Sequence, residues 1–180
     1  MTVWTTIADD ARSESPLWAS ALRPPGAREE EAVFSPLGSD EYALGLETIY
    51  EGYLLHYGRP RLFEPADRDV AVLLGDYLYA HGLVRIAALG GVETVGHLSE
   101  LISLCAQARA DGSGPSAADG AAWAATAAGL GRNGSGLADA RTALRDRGDH
   151  DPLERLARRT AGDDAVDRAL RAHAERVPPS

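Results

Sequence analysis

Residues 67–89 read DRDVAVLLGDYLYAHGLVRIAAL, and the reading of this stretch decides the fold class. Val70, Leu73, Leu74, Tyr77, Leu78, His81, Val84 and Ala88 recur at three- and four-residue steps, the period of a helix with a broad apolar stripe. Gly90 and Gly91 close it. The spacing predicts a central helix over 67–89. Residues 92–109 continue with Val95, Leu98, Leu101, Ile102, Cys105 and Ala108 on one side and Glu93, Glu100 and Gln107 elsewhere. Because only glycines separate the two segments, 70–109 reads as an antiparallel helical hairpin.

Working outward, Tyr42, Leu46, Ile49, Tyr50, Tyr53, Leu54 and Tyr57 share one helical face, with Ser39 or Asp40 as cap and Gly58 and Pro60 as the stop. After the break that ends at Pro115 comes the alanine-rich run 117–130, whose small side chains permit close helix approach around Trp123. A glycine-rich linker over 129–136 leads to a short helix over 137–147, stopped by Gly148. Asp151, Pro152 and Glu154 supply a cap, a first-turn proline and a third-position acid for the next helix, and a last one spans 163–176. Residues 1–38 mix Trp4, Trp18 and Phe34 with Pro16, Pro24, Pro25 and Pro36, which predicts an arm rather than a core element, its tryptophans docked on the protein's own body. No strand-type alternation of useful length occurs. The expected fold is an all-α, single-domain bundle with an arm at 1–38, a helical core at 39–130 and short helices with a tail at 131–180.

At 180 residues and 44% apolar content the chain can bury one sizeable core. Asp76, His81 and Arg85 interrupt the longest apolar stretch, and the first ten residues carry Asp9 and Asp10 where a signal peptide would be basic. No transmembrane segment and a cytoplasmic location are therefore expected. The net charge of −9 disfavours nucleic acid, although 131–180 holds ten arginines against nine acids. All eighteen basic residues are arginine, which excludes chemistry that needs a lysine Schiff base or a P-loop lysine. The single cysteine, Cys105, reads as a buried thiol, and His56, His81, His97, His150 and His173 lack zinc-ligand spacing. No cofactor fingerprint is present.

The run 72–80, VLLGDYLYA, followed by Leu89-Gly90-Gly91 and by Leu98, Ser99, Glu100 and Leu101, resembles the helical hairpin of trans-polyprenyl diphosphate synthases over 70–111. The resemblance implies a truncated isoprenoid synthase fold whose hairpin forms much of a subunit interface, here Leu74, Tyr77, Leu78, His81, Leu98, Ile102 and Cys105. Family enzymes follow Leu-Leu-His with an Asp-Asp-x-x-Asp cluster that holds magnesium. This chain keeps Leu54, Leu55 and His56 but continues with Tyr57, Gly58, Arg59, Pro60 and Arg61. Magnesium needs hard oxygen ligands, so this segment has no donors for it. Arg59 and Arg61 are candidates for direct contact with a diphosphate, although solvated loop residues are the plainer reading.

Asp163, Asp164 and Asp167 form a literal Asp-Asp-x-x-Asp, and its first and last members share a helix face. These are weak metal candidates, because acids at a helix start also complement its dipole. The resemblance implies an accessory, non-catalytic subunit that pairs with a catalytic polyprenyl diphosphate synthase chain in isoprenoid or quinone side-chain biosynthesis. Two alternatives stand beside it. One is a self-associating helical scaffold or regulator, for which a homodimer is the natural assembly. The other is a magnesium-dependent class I isoprenoid enzyme that uses the Asp163 cluster, the only case that calls for Mg as cofactor.

Overall fold

A computed structural model describes residues 2–89, 91–110, 116–132 and 135–177. The protein is all-α. The described elements are α1 (Val3–Glu14), α2 (Pro16–Ala21), α3 (Ala43–Tyr57), α4 (Arg68–Ala88), α5 (Val92–Ala110), α6 (Ser116–Gly129), α7 (Leu137–Arg147), α8 (Asp151–Ala161) and α9 (Asp163–Arg176), with short 3-10 turns in the segment between α2 and α3. One isolated antiparallel bridge, Leu22 with Phe63, is the only β-type pairing among the described residues.

The central helix is α3, not the expected 67–89 segment. Every residue from 45 to 55 is buried, including Glu47, Thr48 and Glu51. A helix enclosed on all sides needs neighbours that come close, and α4 does so through glycine. Gly45 and Gly52 on α3 are seven residues apart, as are Gly75 and Gly82 on α4, and antiparallel packing sets Gly45 beside Gly82 and Gly52 beside Gly75. A Cβ on Gly52 would stand 2.9 Å from the Gly75 carbonyl oxygen, and one on Gly82 would stand 2.9 Å from that of Gly45. The two backbones therefore touch, and α4 packs chiefly on α3 while α5 divides its contacts between α4 and α6. Helix α4 buries only Leu74, Gly75, Leu78, Gly82 and Ile86, so its far side faces out.

The alanine-rich helix α6 is buried along 118–128 and lies against α5, α7, α8 and α9. Its methyl groups give those helices room to approach Trp123, which is 1% exposed. Helices α8 and α9 seal the core with Leu153, Ala157, Val166, Ala169 and His173.

Residues 1–38 are not a trailing arm. The Thr2 and Thr5 side chains form a capping box at the start of α1, which buries Trp4, Ile7, Ala8 and Ala11. Pro16 occupies the first turn of α2 under the Ser15 cap, so it begins a helix instead of breaking one. Phe34, Ser35 and Leu37 are core residues too. The tryptophans dock on the body: Trp4 lies against Arg61, and Trp18 stacks on Tyr77 with ring centroids 5.9 Å apart.

Gly82→Ala should destabilise the fold by about 1–3 kcal/mol, because the methyl group collides with Ile49 and the Gly45 carbonyl inside a tight contact. Gly96→Ala, on α5 with open space around it, should be neutral or stabilise by up to about 1 kcal/mol. Urea denaturation of both variants checks the contrast.

Candidate functional site

The loop after His56 carries the residues on which function turns. Arg61 is fully buried, and its guanidinium is closed in by α3. Its Nη1 donates to Glu47 Oε2 at 2.6 Å and its Nε to Glu51 Oε2 at 2.9 Å. The Arg61 and Leu62 backbone N–H groups donate to Glu51 Oε1 at 2.8 and 2.7 Å. Glu47 Oε1 accepts from the Ser35 backbone N–H at 3.1 Å, and the Glu31 carbonyl accepts from Arg61 Nη1 at 2.8 Å. The guanidinium carbon lies 4.7 Å from the Trp4 ring centre and 5.0 Å from that of Tyr50. Burial by itself would weaken this cation, but Glu47 and Glu51 outweigh it and raise the arginine pKa above its ordinary value.

Arg61 is thus neither a solvated loop residue nor a diphosphate contact, since its donors are spent on two carboxylates four residues apart on α3 and on the Glu31 and Glu47 carbonyls. Arg59 is exposed, and its backbone N–H donates to the Arg176 carbonyl at 2.9 Å. Arg176 in turn reaches Glu29 at 3.0 Å and Glu31 at 3.2 Å.

Inside the bundle, aromatic rings occupy the space among α3, α6 and α9. Phe34 stacks on Trp123 at 5.6 Å, and Tyr50 and Tyr53 meet Trp123 edge-on at 5.0 and 5.5 Å. The two tyrosine hydroxyls are satisfied, whereas the buried Trp123 indole N–H has no acceptor among the described residues. The Tyr50 hydroxyl is 2.9 Å from His173 Nδ1, and that of Tyr53 donates to Asp119 Oδ2 at 2.6 Å. Arg109 donates to the same Asp119 oxygen at 2.8 Å and lies over the Tyr57 ring. Burial pushes both tyrosine pKa values upward, for Tyr53 with help from Asp119, so these hydroxyls stay protonated. Cys105 beside them is fully buried and its thiol pKa is raised for the same reason, which makes it a structural thiol.

The residues expected at a subunit interface lie inward instead. Leu74 and Leu78 pack with Trp4, Ile7 and Phe63, and Leu98 and Cys105 belong to the main core. Ile102 is half-buried against that core, while Tyr77 and His81 are half-buried beside Trp18 and Asp10. A stripe as broad as the one read from 67–89 covers two faces of a helix, and periodicity does not say which of them is covered. The outward face carries Leu73 (56% exposed), Ala80, Val84 (66%) and Ala87, with Leu89 and Val92 at the tip of the hairpin.

Asp163, Asp164 and Asp167 are exposed at the start of α9. Arg158 reaches across from α8 to Asp167 at 2.7 Å and Asp163 at 3.5 Å while holding Glu154 at 2.7 Å. Two of the three carboxylates therefore already share one guanidinium with Glu154, and among the described residues no three His, Cys, Asp or Glu side chains converge as a metal site. A surface depression on α8 is lined by Asp151, Glu154, Arg155 and Arg158, and another beside α9 mixes Val33, Pro36, Ala165 and Ala169 with Glu31 and Arg168.

His56, the last retained residue of the resemblance, stacks on Tyr79 at 5.1 Å with its Nε2 3.2 Å from Asp76 Oδ1. Burial outweighs the carboxylate and lowers its pKa, so the imidazole is neutral at neutral pH and the contact is not an ion pair there.

Removing the guanidinium in Arg61→Ala leaves two buried carboxylates uncompensated and should cost about 3–5 kcal/mol, against about 0.5 kcal/mol or less for Arg59→Ala, measured by chemical denaturation. The depressed His56 pKa means that the unfolded chain takes up the proton first, so its contribution is complete above about pH 6.5 and declines as the pH falls below that. In His56→Gln the stability curve should be flatter between neutral pH and about pH 5, as followed by thermal melts.

No family model matches this chain, and no curated protein or solved structure matches it either.

Proposed function

We propose that this chain is an accessory, non-catalytic partner subunit of a trans-polyprenyl diphosphate synthase, acting in the cytoplasm in isoprenoid or quinone side-chain biosynthesis. The observation that carries this reading is the role of the segment after His56. Where the resembling enzymes place magnesium-binding carboxylates, this chain has Arg61, and its guanidinium ties the segment to Glu47 and Glu51 of the central helix. The segment has become a strut.

Two further features support the reading. An enzyme that lengthens a prenyl chain needs an apolar hollow to receive it, whereas Phe34, Tyr50, Tyr53, Trp123 and His173 fill the interior among these helices. The resembling hairpin also turns an uncovered apolar stripe outward, with Leu73 and Val84 both more than half exposed. A protein that keeps a docking surface while filling its interior is suited to act through a partner.

Co-expression with the catalytic polyprenyl diphosphate synthase of the same genome should give one gel-filtration peak containing both chains. Two separate peaks at micromolar concentration would rule the reading out.

A further inference from the structure

The outward face of α4 carries a pattern of its own. Leu73, Ala80, Val84 and Ala87 are exposed there, and with the half-buried Tyr77, which stacks on Trp18 of α2 along one edge, they follow alternating steps of four and three, the spacing of a seam that takes one partner helix. This seam lies opposite the Gly75 and Gly82 contact with α3, so the packing that buries one side of α4 presents the other. Val84 at 66% and Leu73 at 56% exposure are the large ends, and Ala80 and Ala87 leave depressions between them.

One edge of the seam is acidic. Asp69 and Asp76 are seven residues apart and therefore share an edge, with Asp76 three residues after Leu73 and four before Ala80. Both are exposed. The neighbour of Asp76 is His56, which burial keeps neutral, so the aspartate charge is not cancelled. Glu93, 86% exposed on its side chain, adds a third acid beside Val92 at the hairpin tip. Of the nearby cations, Arg85 is paired with Asp10 of α1, while Arg68, exposed at the start of α4, donates to the His56 carbonyl at 3.5 Å and keeps its charge, so the acids Asp69, Asp76 and Glu93 outnumber it. Ten of the eighteen arginines lie in 131–180, outside this hairpin.

We infer that the α4 seam docks a helix from a different protein, one with an apolar seam flanked by arginine or lysine along the edge that meets Asp69 and Asp76. A second copy of this chain fits less well. A twofold contact sets a patch against itself, and two antiparallel copies bring the Asp69 and Asp76 edge of one against that of the other. The inference rests on the reading of the chain as a subunit that docks a different chain, and it adds the chemistry of the partner segment.

The test uses two synthetic helical peptides with the same leucine–alanine seam, one flanked by lysine and one by glutamate, titrated into the full chain and followed by fluorescence anisotropy. The lysine peptide should bind at least about tenfold more tightly than the glutamate peptide at about 50 mM salt, and the preference should shrink at about 500 mM. Asp69→Asn with Asp76→Asn should abolish the preference, and Val84→Glu should abolish binding of either peptide with the far-UV circular dichroism unchanged. Equal binding of the two peptides, a preference that survives the double variant, or a wild-type homodimer that Val84→Glu splits would overturn the inference. A synthase that still pairs with Val84→Glu would overturn it while leaving the accessory reading intact. Lysine-peptide binding without synthase pairing would do the reverse.

Discussion

Arg61 lies wholly out of solvent between Glu47 and Glu51, and most of the tertiary structure on one side of the bundle follows from that contact. Two carboxylates on an enclosed helix are untenable unless a cation reaches them, and their four-residue spacing on α3 lets one guanidinium meet both. The loop is thereby pinned to the central helix, and what binds the loop is pinned as well. The Leu62 carbonyl accepts from the Arg23 N–H at 2.9 Å, and the Glu64 N–H donates to the Ala21 carbonyl at 2.7 Å, which fixes the exit of α2. Trp4 closes over the guanidinium from α1. Trp4, Ile7 and Ala11 of α1 are therefore buried beside a loop that a charge pair on α3 holds in place.

The second constraint is the glycine contact between α3 and α4. Close backbone approach gives these helices dispersion contact along their length without large side chains between them. It also determines which side of α4 is spent on the fold. With Gly75 and Gly82 turned to α3, and Leu74 and Leu78 turned to α1, Leu73, Ala80 and Val84 are left exposed on the opposite side of the same helix.

The helices themselves were legible in the residues. Asp67 caps α4 through the Val70 N–H, Pro152 opens α8, and α9 runs over Asp163–Arg176, because caps, first-turn prolines and apolar spacing act locally. What was not legible depends on partners distant in sequence. A glycine inside a helix reads as a local cost, and its value appears only when a second helix with matching spacing comes beside it, as for Gly45 with Gly82. Arg61 reads as a loop residue because its carboxylates lie ten and fourteen positions earlier, on a helix whose apolar spacing gives no sign that Glu47 and Glu51 are enclosed. The Tyr53, Asp119 and Arg109 network spans three helices, so no motif announces it. The apolar stripe of 67–89 is legible, but periodicity does not separate its inward from its outward members, so Leu74 and Leu78 read as interface residues when they are core.

The resulting picture is a helical protein whose loop after His56 serves structure, whose interior is filled with aromatic rings, and whose α4 carries an exposed apolar face. Its central claim concerns chemistry, and it meets a direct assay: the purified chain incubated with magnesium, farnesyl diphosphate and labelled isopentenyl diphosphate. The account predicts no elongated prenyl product and no released diphosphate above the level of a protein-free control. Magnesium-dependent formation of either by the isolated chain would contradict it.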